Sequence, residues 1–271
     1  IDAYGIYTNK PMLGAYRAYG HPEAALISEK MIDIIAEKLS LDPIEVRRRN
    51  LIKSGQINSI GQVIKDDDGN LKACMELVEN DLKEYKTTYG GENRNLVRGY
   101  GLANLLKAPG MPTNGFSTAI VKWNEDCTVT VLMSGIDMGQ GLLTAITQIT
   151  SEALGIPFYN VEISHIPDTR YTPYEWQTVA SRSSWMIGNA VYKACMDSIE
   201  KIKINASLAL GLPKEDMVYN EKEVYYKFDK DKSIPLKKLM MGYTFSNGRT
   251  CGLPPVGYGA YVPETEYANE Q

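Results

Sequence analysis

The sequence contains few of the residues that build metal sites and disulfides. Its 271 residues include four cysteines and two histidines, and no two cysteines form a Cys-x-x-Cys pair. A zinc or iron–sulfur site made by this chain alone is therefore not expected. A chain of this length does not need disulfides, so the cysteines indicate reduced thiols and a cytoplasmic protein.

A basic charge excess and long apolar runs are lacking as well. The formal net charge is −4, which provides no basic field for nucleic acid. No apolar run approaches the roughly 18 residues that a membrane helix needs. The opening Ile1-Asp2-Ala3-Tyr4 has neither the basic nor the apolar region of a signal peptide. We therefore expect no nucleic-acid partner and no membrane partner. Glycine motifs for nucleotides and a hydrolase nucleophile elbow do not occur in the sequence.

The composition that remains is that of a globular protein, with 44% hydrophobic and 23% charged residues. A chain of this length suits one large domain or two smaller ones with a sizeable core. The sequence begins without an initiator Met and stops shortly after a strand-like stretch that starts at Tyr258. We therefore expect a fragment, or one piece of a split subunit.

Helical spacing dominates the first part of the sequence. Pro22 suits the first turn of a helix, and the apolar residues that follow at helical spacing share one face: Leu26, Ile27, Met31, Ile34, Ile35 and Leu39. A second helix is predicted to begin after Asp42 as its N-cap, with Glu45 bonding back to the cap. The three arginines at 47–49 are expected to pair with acidic neighbours rather than with nucleic acid. A third helix is predicted over residues 71–85.

A polar, glycine-rich stretch at residues 87–96 is the predicted boundary between two domains, at 1–95 and 96–271. The pattern changes to β-rich runs beyond it, and those at 116–123 and 128–133 predict a hairpin. The remaining predicted elements are a helix at 141–154, a strand at 160–166, a helix at 184–204, a hairpin near Asn220 and a short helix from Pro235. Strand pairs followed by helices, without regular alternation, predict an α+β fold of two layers.

Residues 134–141 form the first candidate site, between an apolar strand and an apolar helix. They include the run Ile136-Asp137-Met138-Gly139-Gln140-Gly141. Glycines let backbone N–H groups approach an anion closely, and the N-terminus of the following helix favours negative charge. Gln140 adds an amide that both donates and accepts, which suits a pterin edge or a phosphate ester. The alternative is a strand-to-helix turn that needs glycine only for its geometry.

Two more segments could bind a ligand. Residues 178–184 combine four hydroxyls with Arg182 just ahead of a helix, which favours an anion site; the alternative is simple N-capping.

Residues 14–20 read Gly14-Ala15-Tyr16-Arg17-Ala18-Tyr19-Gly20. Their two aromatic rings could stack on a flat ring while the arginine bonds a polar group beside it. The alternative there is aromatic core packing with a surface arginine.

In this order and at these separations, the three segments resemble the molybdenum-hydroxylase family, which includes xanthine dehydrogenase and aldehyde oxidoreductase. The similarity is to the family's molybdopterin-binding large subunit and covers residues 10–190. Residues 37–50 resemble the family's pattern Asp-Pro-hydrophobic-Glu-hydrophobic-Arg-x-x-Asn, and residues 148–161 its pattern Gln-Ile-x-x-Glu-x-Leu-Gly-Ile-Pro-x-x-x-Val. The resemblance implies two-layer molybdopterin-binding domains, with the end of the first in residues 1–95 and the start of the second in residues 96–271.

The resemblance also implies roles for individual residues. Met138, Gly139 and Gln140 would line the molybdopterin site. The pterin, its phosphate or a cytosine dinucleotide tail would be held by Thr178, Ala180, Ser181, Arg182 and Ser183. Arg17 would lie beside the molybdenum, and Tyr16 and Tyr19 would face the substrate channel. No side chain of this chain would bind the metal directly, because the pterin carries it.

The family hydroxylates N-heterocycles or aldehydes with water as the oxygen source. Its electrons leave through iron–sulfur clusters and, in some members, FAD, on other domains or subunits. The resemblance therefore implies three kinds of partner: the rest of the large subunit, an iron–sulfur subunit and an FAD subunit or domain. We expect an oligomer. Two rival hypotheses remain, a non-catalytic module that binds a cofactor or phosphate and a purely structural interaction domain.

Departures from the family pattern limit what this chain can do. Ala18 stands where glycine is usual and Glu23 where glutamine is frequent, so the shape of the substrate channel stays open. No cysteine follows Arg17, which argues against the carbon-monoxide dehydrogenase branch. The Gly-Val-Gly-Glu segment that carries the family's base does not occur in this sequence. We therefore expect the chain to be inactive by itself.

Overall fold

The computed structural model describes residues 4–11, 16–58, 61–66, 68–89, 96–105, 115–164 and 166–263. These residues form two compact units, one within residues 1–108 and one within residues 109–265. The domain boundary expected between residues 95 and 96 adjoins residues 90–95, which lie outside the described residues, and it stays a prediction. No helix of the described part of the chain is long and apolar enough to cross a membrane.

The first unit contains helices α1 (His21–Lys38), α2 (Pro43–Asn50) and α3 (Leu71–Tyr89). All three predicted helices are confirmed, and α3 extends beyond its predicted end. Asp42 caps α2 as predicted, since its carboxylate accepts from the Ile44 amide at 2.9 Å. The predicted return bond from Glu45 to the cap is wrong. Its carboxylate instead accepts from the guanidinium groups of Arg48 and Arg49, which are charged and therefore stronger donors than an amide.

The arginines of α2 pair with carboxylates, as predicted from the sequence. Arg47 is buried and contacts two acids of α1, Glu29 at 2.7 Å and Asp33 at 2.9 Å. Arg48 also reaches Glu79 of α3. Ion pairs therefore connect the three helices of this unit, and each of the three arginines has a carboxylate partner.

The apolar face predicted on α1 is largely exposed. Leu26 is 71% exposed, Ile27 is 67% exposed and Met31 is 50% exposed. Within the described residues of this unit, the buried hydrophobic side chains are Ala36 and Met75. Helical spacing predicts which side chains share a face, but it does not identify what covers that face.

The second unit begins with a β-hairpin and continues through two long helices. In chain order its elements are β1 (Ser117–Trp123), β2 (Val129–Leu132), α4 (Leu142–Leu154), β3 (Val161–Ser164), α5 (Ser183–Leu210), β4 (Met217–Tyr219), β5 (Glu223–Tyr226), β6 (Asp229–Pro235), β7 (Tyr243–Thr244), β8 (Thr250–Cys251) and β9 (Val256–Tyr261). The hairpins near 124 and 220 are confirmed, and the short helix predicted from Pro235 is the 3-10 turn Leu236–Leu239.

The main sheet has the strand order β3-β2-β1-β9. Strand β1 is antiparallel to both β2 and β9, whereas β2 and β3 are parallel and are connected through α4. Helices α4 and α5 pack on each other and on these strands. The core lies between the helices and the sheet, around the fully buried Val121, Trp123 and Ile187. The α+β prediction with two layers is confirmed.

Two glycines of β9 let α5 approach the sheet closely. A Cβ added at Gly257 would lie 1.9 Å from the carbonyl oxygen of Ala194, and one added at Gly259 would lie 1.9 Å from that of Ala190. Only glycine therefore fits at these two positions. This contact fixes the N-terminal half of α5, and with it the loop that leads into the helix.

Candidate functional site

The first candidate loop, residues 134–141, connects β2 to α4, and its hydrogen bonds centre on Asp137. The Asp137 carboxylate accepts from the backbone amides of Gly139 at 2.8 Å, Leu143 at 3.0 Å and Gly141 at 3.3 Å. The bonds from Leu143 and Gly139 lower the pKa of this carboxyl, because they stabilise its charged form. The amides that we expected to face an external anion are therefore already occupied by a carboxylate of the chain itself.

Asp137 is the residue of this loop that sequence reasoning missed. Its signal is the spacing Asp-x-Gly, in which an aspartate accepts from the amide two residues later. Gly139 and Gly141 have φ angles of +96° and +82°, and both are left-handed conformations that suit glycine. The loop is thus a tightly bonded turn that matches the geometric alternative, and its exposed tip is available for other contacts.

Gln140 also bonds to the loop backbone, through both ends of its side-chain amide. Its Oε1 accepts from the Met138 amide at 2.6 Å, and its Nε2 donates to the Ile136 carbonyl at 2.8 Å. A glutamine amide has two donor hydrogens and two acceptor lone pairs. One donor and one acceptor therefore remain on an exposed residue.

Met138 and Gly139 form the tip beside that amide. Met138 is 70% exposed, and a Cβ added at Gly139 would meet nothing within 4 Å. The three predicted cofactor residues of this loop thus share one accessible edge. An exposed edge with a fixed donor and a fixed acceptor can bind the polar rim of a flat heterocycle.

The second candidate segment, residues 178–184, covers the end of the loop at 173–183 and the start of α5, and this loop contains a buried ion pair that contacts β1. Arg182 pairs with Glu175, and their side chains are 1% and 3% exposed. Arg182 also donates to the Gln177 carbonyl at 2.7 Å and to the Ser117 hydroxyl at 3.3 Å. Burial raises the pKa of the Glu175 carboxyl, and the pairing with Arg182 opposes that effect. The guanidinium predicted to bind phosphate is thus used inside the protein.

The other predicted residues of this loop lie between the ion pair and α5. Ala180 and Ser181 have φ angles of +56° and +58°, a left-handed conformation that is uncommon outside glycine. Ser183 is buried at the start of α5. The N-cap position is occupied by Arg182, whose side chain makes no capping bond.

The structure brings the two candidate loops together. The Ile136 amide donates to the Thr178 hydroxyl at 2.9 Å, and the Ser134 hydroxyl donates to the Pro173 carbonyl. Segments about 40 residues apart in sequence therefore lie side by side at the ends of β2 and α5. Thr178, one of the predicted cofactor residues, makes one of the two contacts.

The third segment belongs to the first unit and precedes α1. The Tyr19 amide donates to the Tyr16 carbonyl at 3.0 Å, and Ala18, Tyr19 and Gly20 all have positive φ angles. Tyr16 is 81% exposed and Tyr19 is 65% exposed, so neither ring packs into the core of this unit. Arg17 is exposed as well. Gly14 and Ala15, the first two residues of this segment, lie outside the described residues.

Metal-ligating side chains do not converge in the described part of this chain. Over the residues that the structure describes, no three His, Cys, Asp or Glu side chains are grouped so that they could hold a metal ion. The four cysteines are free thiols. Cys195 is buried in α5, and burial raises the pKa of its thiol to about 12, which keeps it protonated and unreactive near neutral pH.

A groove of about 930 Å³ lies at the other end of α4, where Leu154, Met196 and Tyr219 contribute to its walls. None of the predicted site residues lines it. This groove is therefore not the candidate site. The candidate site is the exposed edge formed by the two joined loops.

Comparison with known families identifies the kind of domain that this chain forms. A family model described as molybdopterin cofactor-binding domain matches residues 74–268, and a second model of the same description matches residues 1–51. The first match includes both joined loops, and the second includes the Tyr16–Tyr19 segment.

Individual relatives are similar over most of this chain. The xanthine dehydrogenase molybdenum-binding subunit of Escherichia coli is 32% identical over 209 residues, covering 75% of this chain and 28% of the relative. Nicotinate hydroxylase of Emericella nidulans is 30% identical over 208 residues, covering 72% of this chain and 15% of the relative. The chain thus spans less than a third of the length of these relatives.

Solved structures show the same fold. Quinoline 2-oxidoreductase from Pseudomonas putida 86 superposes with a TM-score of 0.69 at 24% identity, covering 94% of this chain and 34% of that chain. Aldehyde oxidoreductase from Desulfovibrio desulfuricans superposes with a TM-score of 0.61 at 23% identity, covering 92% of this chain and 24% of that chain.

Proposed function

Since the chain belongs to the molybdopterin cofactor-binding domain family, we propose that it forms part of the catalytic site of a molybdenum hydroxylase. The complete enzyme hydroxylates an N-heterocycle or an aldehyde with water as the oxygen source. The observation that carries this proposal is the junction of the 134–141 and 173–183 loops through the Ile136–Thr178 bond. Both loops carry residues that the family resemblance assigns to the cofactor.

The exposed edge of the 134–141 loop fits a pterin. Gln140 offers one donor and one acceptor in a fixed orientation, and Gly139 leaves open space beside them. Met138 would cover an apolar part of the ring. When bound, the molybdopterin cofactor supplies the two-electron redox chemistry of the hydroxylation. This chain binds and orients it, either as molybdopterin or as molybdopterin cytosine dinucleotide.

The 173–183 loop would hold the remainder of the cofactor. Thr178, Ala180, Ser181 and Ser183 are the residues we assign to it, through hydroxyls and backbone amides. Arg182 contributes by fixing the loop against β1, because its guanidinium is buried among Glu175, Ser117 and the Gln177 carbonyl. A direct bond from Arg182 to phosphate would require this network to open.

On the substrate side we assign Arg17, Tyr16 and Tyr19. Exposed aromatic rings can stack on a flat substrate, while the guanidinium bonds to a polar substituent. Names of relatives favour an N-heterocycle, since they include xanthine dehydrogenase, nicotinate hydroxylase and quinoline 2-oxidoreductase. An aldehyde is the alternative substrate class, as the name aldehyde oxidoreductase indicates.

Other protein parts are needed for turnover. We assign the catalytic base, a glutamate, to the rest of the large subunit, so this chain alone is expected to be inactive. Electrons pass to iron–sulfur clusters and, in some arrangements, to FAD on partner subunits or domains, and the assembly is oligomeric and cytoplasmic. The apolar face of α1, which includes Leu26, Ile27 and Met31, is exposed in this chain. This exposure supports the proposal that another protein surface covers it in the assembly.

The test is molybdenum content together with released-nucleotide analysis on the native complex, with Gln140→Ala as the variant. Near-stoichiometric molybdenum and pterin in the native complex, and reduced occupancy in the folded variant, are expected. Normal occupancy and activity of Gln140→Ala would refute the assignment. Absence of molybdenum and pterin from the folded native complex would favour the second candidate, a non-catalytic module that uses the same two loops.

A further inference from the structure

The orientation of Gln140 depends on a loop whose shape is set by one carboxylate. Asp137 accepts three backbone amides, from Gly139, Gly141 and Leu143. These amides flank Gln140 on both sides, and the Leu143 bond attaches the loop to the first turn of α4. Gln140 itself bonds only to backbone groups within the loop, at positions 136 and 138.

The side chain of Gln140 can therefore hold its direction only while the loop holds its fold. Left-handed glycines on either side of it give the backbone additional conformational freedom. Without an acceptor at position 137, three amides lose their partner at once and the turn can adopt other conformations. The remaining donor and acceptor of Gln140 would then no longer have a fixed direction.

We propose that Asp137 is a positioning residue for the cofactor, acting through Gln140; this inference rests on the proposed function. Asp137 does not touch the cofactor in this role. Its carboxylate accepts from the Gly141 and Leu143 amides at the start of α4, and its negative charge disfavours an anionic group of the ligand there. The loop recognises the neutral, hydrogen-bonding edge of the ligand instead.

The experiment uses the complete native complex with Asp137→Asn, Gln140→Ala, the double variant and a matched control, Asp126→Asn. Asp126 also accepts a backbone amide two residues later, that of Thr128 at 3.0 Å, and its pKa is also lowered. It lies in the β1–β2 turn, away from both loops. Molybdenum and released pterin are measured per subunit after dialysis, together with deuterium uptake of the peptide over residues 136–143.

In Asp137→Asn the carboxylate oxygen that faces the Leu143 amide can become an NH₂ group, which cannot accept. We expect cofactor retention to fall about five-fold, the effect of losing one oriented hydrogen bond, and deuterium uptake of the loop to rise. Asp126→Asn should retain the cofactor like the native complex. Adding Asp137→Asn to Gln140→Ala should cause no further loss, because the group being positioned is already gone.

Each other outcome overturns a defined statement. Normal retention in Asp137→Asn, with a loss in Gln140→Ala, refutes the positioning role and leaves the proposed function intact. Additive losses in the double variant refute the action through Gln140. Normal retention in Gln140→Ala refutes the cofactor assignment and this inference with it. Should Asp137→Asn not assemble, Asp137→Ser, which keeps one acceptor, is measured in its place and judged by the same outcomes.

Discussion

Removal of Arg182 should destabilise the second unit strongly. Arg182 and Glu175 are 1% and 3% exposed, so Arg182→Met leaves a carboxylate inside the protein without its cation. Breaking one partner of a buried pair typically costs about 3–5 kcal/mol of unfolding free energy. Domains are commonly stable by only about 5–15 kcal/mol, so the variant should lose a large share of its stability. The lost bonds to Ser117 and the Gln177 carbonyl act in the same direction.

The loss should depend on pH in a defined direction. Burial raises the pKa of the Glu175 carboxyl, and without Arg182 only the hydrogen bonds from Ser117 and the Gln177 backbone oppose that shift. The folded state then binds a proton more tightly than the unfolded state, so stability falls as pH rises from the ordinary carboxyl range, about 4, through the raised pKa. Compared with the native chain, Arg182→Met should therefore lose least unfolding free energy at acidic pH. It should lose most above the raised pKa of Glu175.

Urea unfolding of the chain, followed by tryptophan fluorescence, measures this effect. Trp176 is a suitable probe because its ring lies 5.6 Å from the Arg182 guanidinium carbon. The double variant Glu175→Met/Arg182→Met is the control, and it should recover much of the loss because no buried charge remains. A single variant within about 0.5 kcal/mol of the native chain, the usual range for surface substitutions, or one that loses stability on acidification, would contradict the argument.

The other stability predictions concern close packing and a single hydrogen bond. Gly259→Ala should lower the unfolding free energy by at least about 1–3 kcal/mol, because the new Cβ would lie 1.9 Å from the Ala190 carbonyl oxygen. Gly101→Ala, where a Cβ meets nothing within 4 Å, is its control in thermal unfolding; equal midpoints for the two variants would disprove the close contact. Tyr219→Phe should cost about 1 kcal/mol, since its hydroxyl donates to the Leu154 carbonyl at 2.7 Å. Urea midpoints test that loss, and an unchanged midpoint would mean that water replaces the bond.

The order and type of the main elements could be predicted from the sequence because their signals are local. Helical periodicity located α1 and α4, and β-rich runs located β1 and β2. The N-cap of α2 at Asp42 was predictable for the same reason, since a cap lies two residues from the amide it accepts. The parallel pairing of β2 with β3 and the close approach of β9 to α5 involve distant segments, and no local pattern encodes them.

The candidate site was predictable in part. As for the fold, the local features could be predicted and the contacts between distant segments could not. Residue types at 134–141 and 178–184 marked two segments as candidates, but their junction through Ile136 and Thr178 is a contact across about 40 residues. The role of Arg182 was not predictable, because its partner Glu175 acquires meaning only when β1 packs beside the loop. A charged residue near a helix start can serve a ligand or the fold equally well, and burial decides which.

Both candidate loops satisfy most of their own polar groups, and this bears on how they bind a ligand. The amides of the first loop bond to Asp137, and the guanidinium of the second bonds to Glu175. Groups used in this way keep the loops in one conformation without a ligand, so binding does not have to order them first. Recognition then falls to the few groups that are left, chiefly the free half of the Gln140 amide and the open edge at Gly139. Substitutions of the supporting acids should therefore weaken binding through loop order, whereas substitution of Gln140 should also remove a group that contacts the ligand, together with its two bonds to the loop backbone.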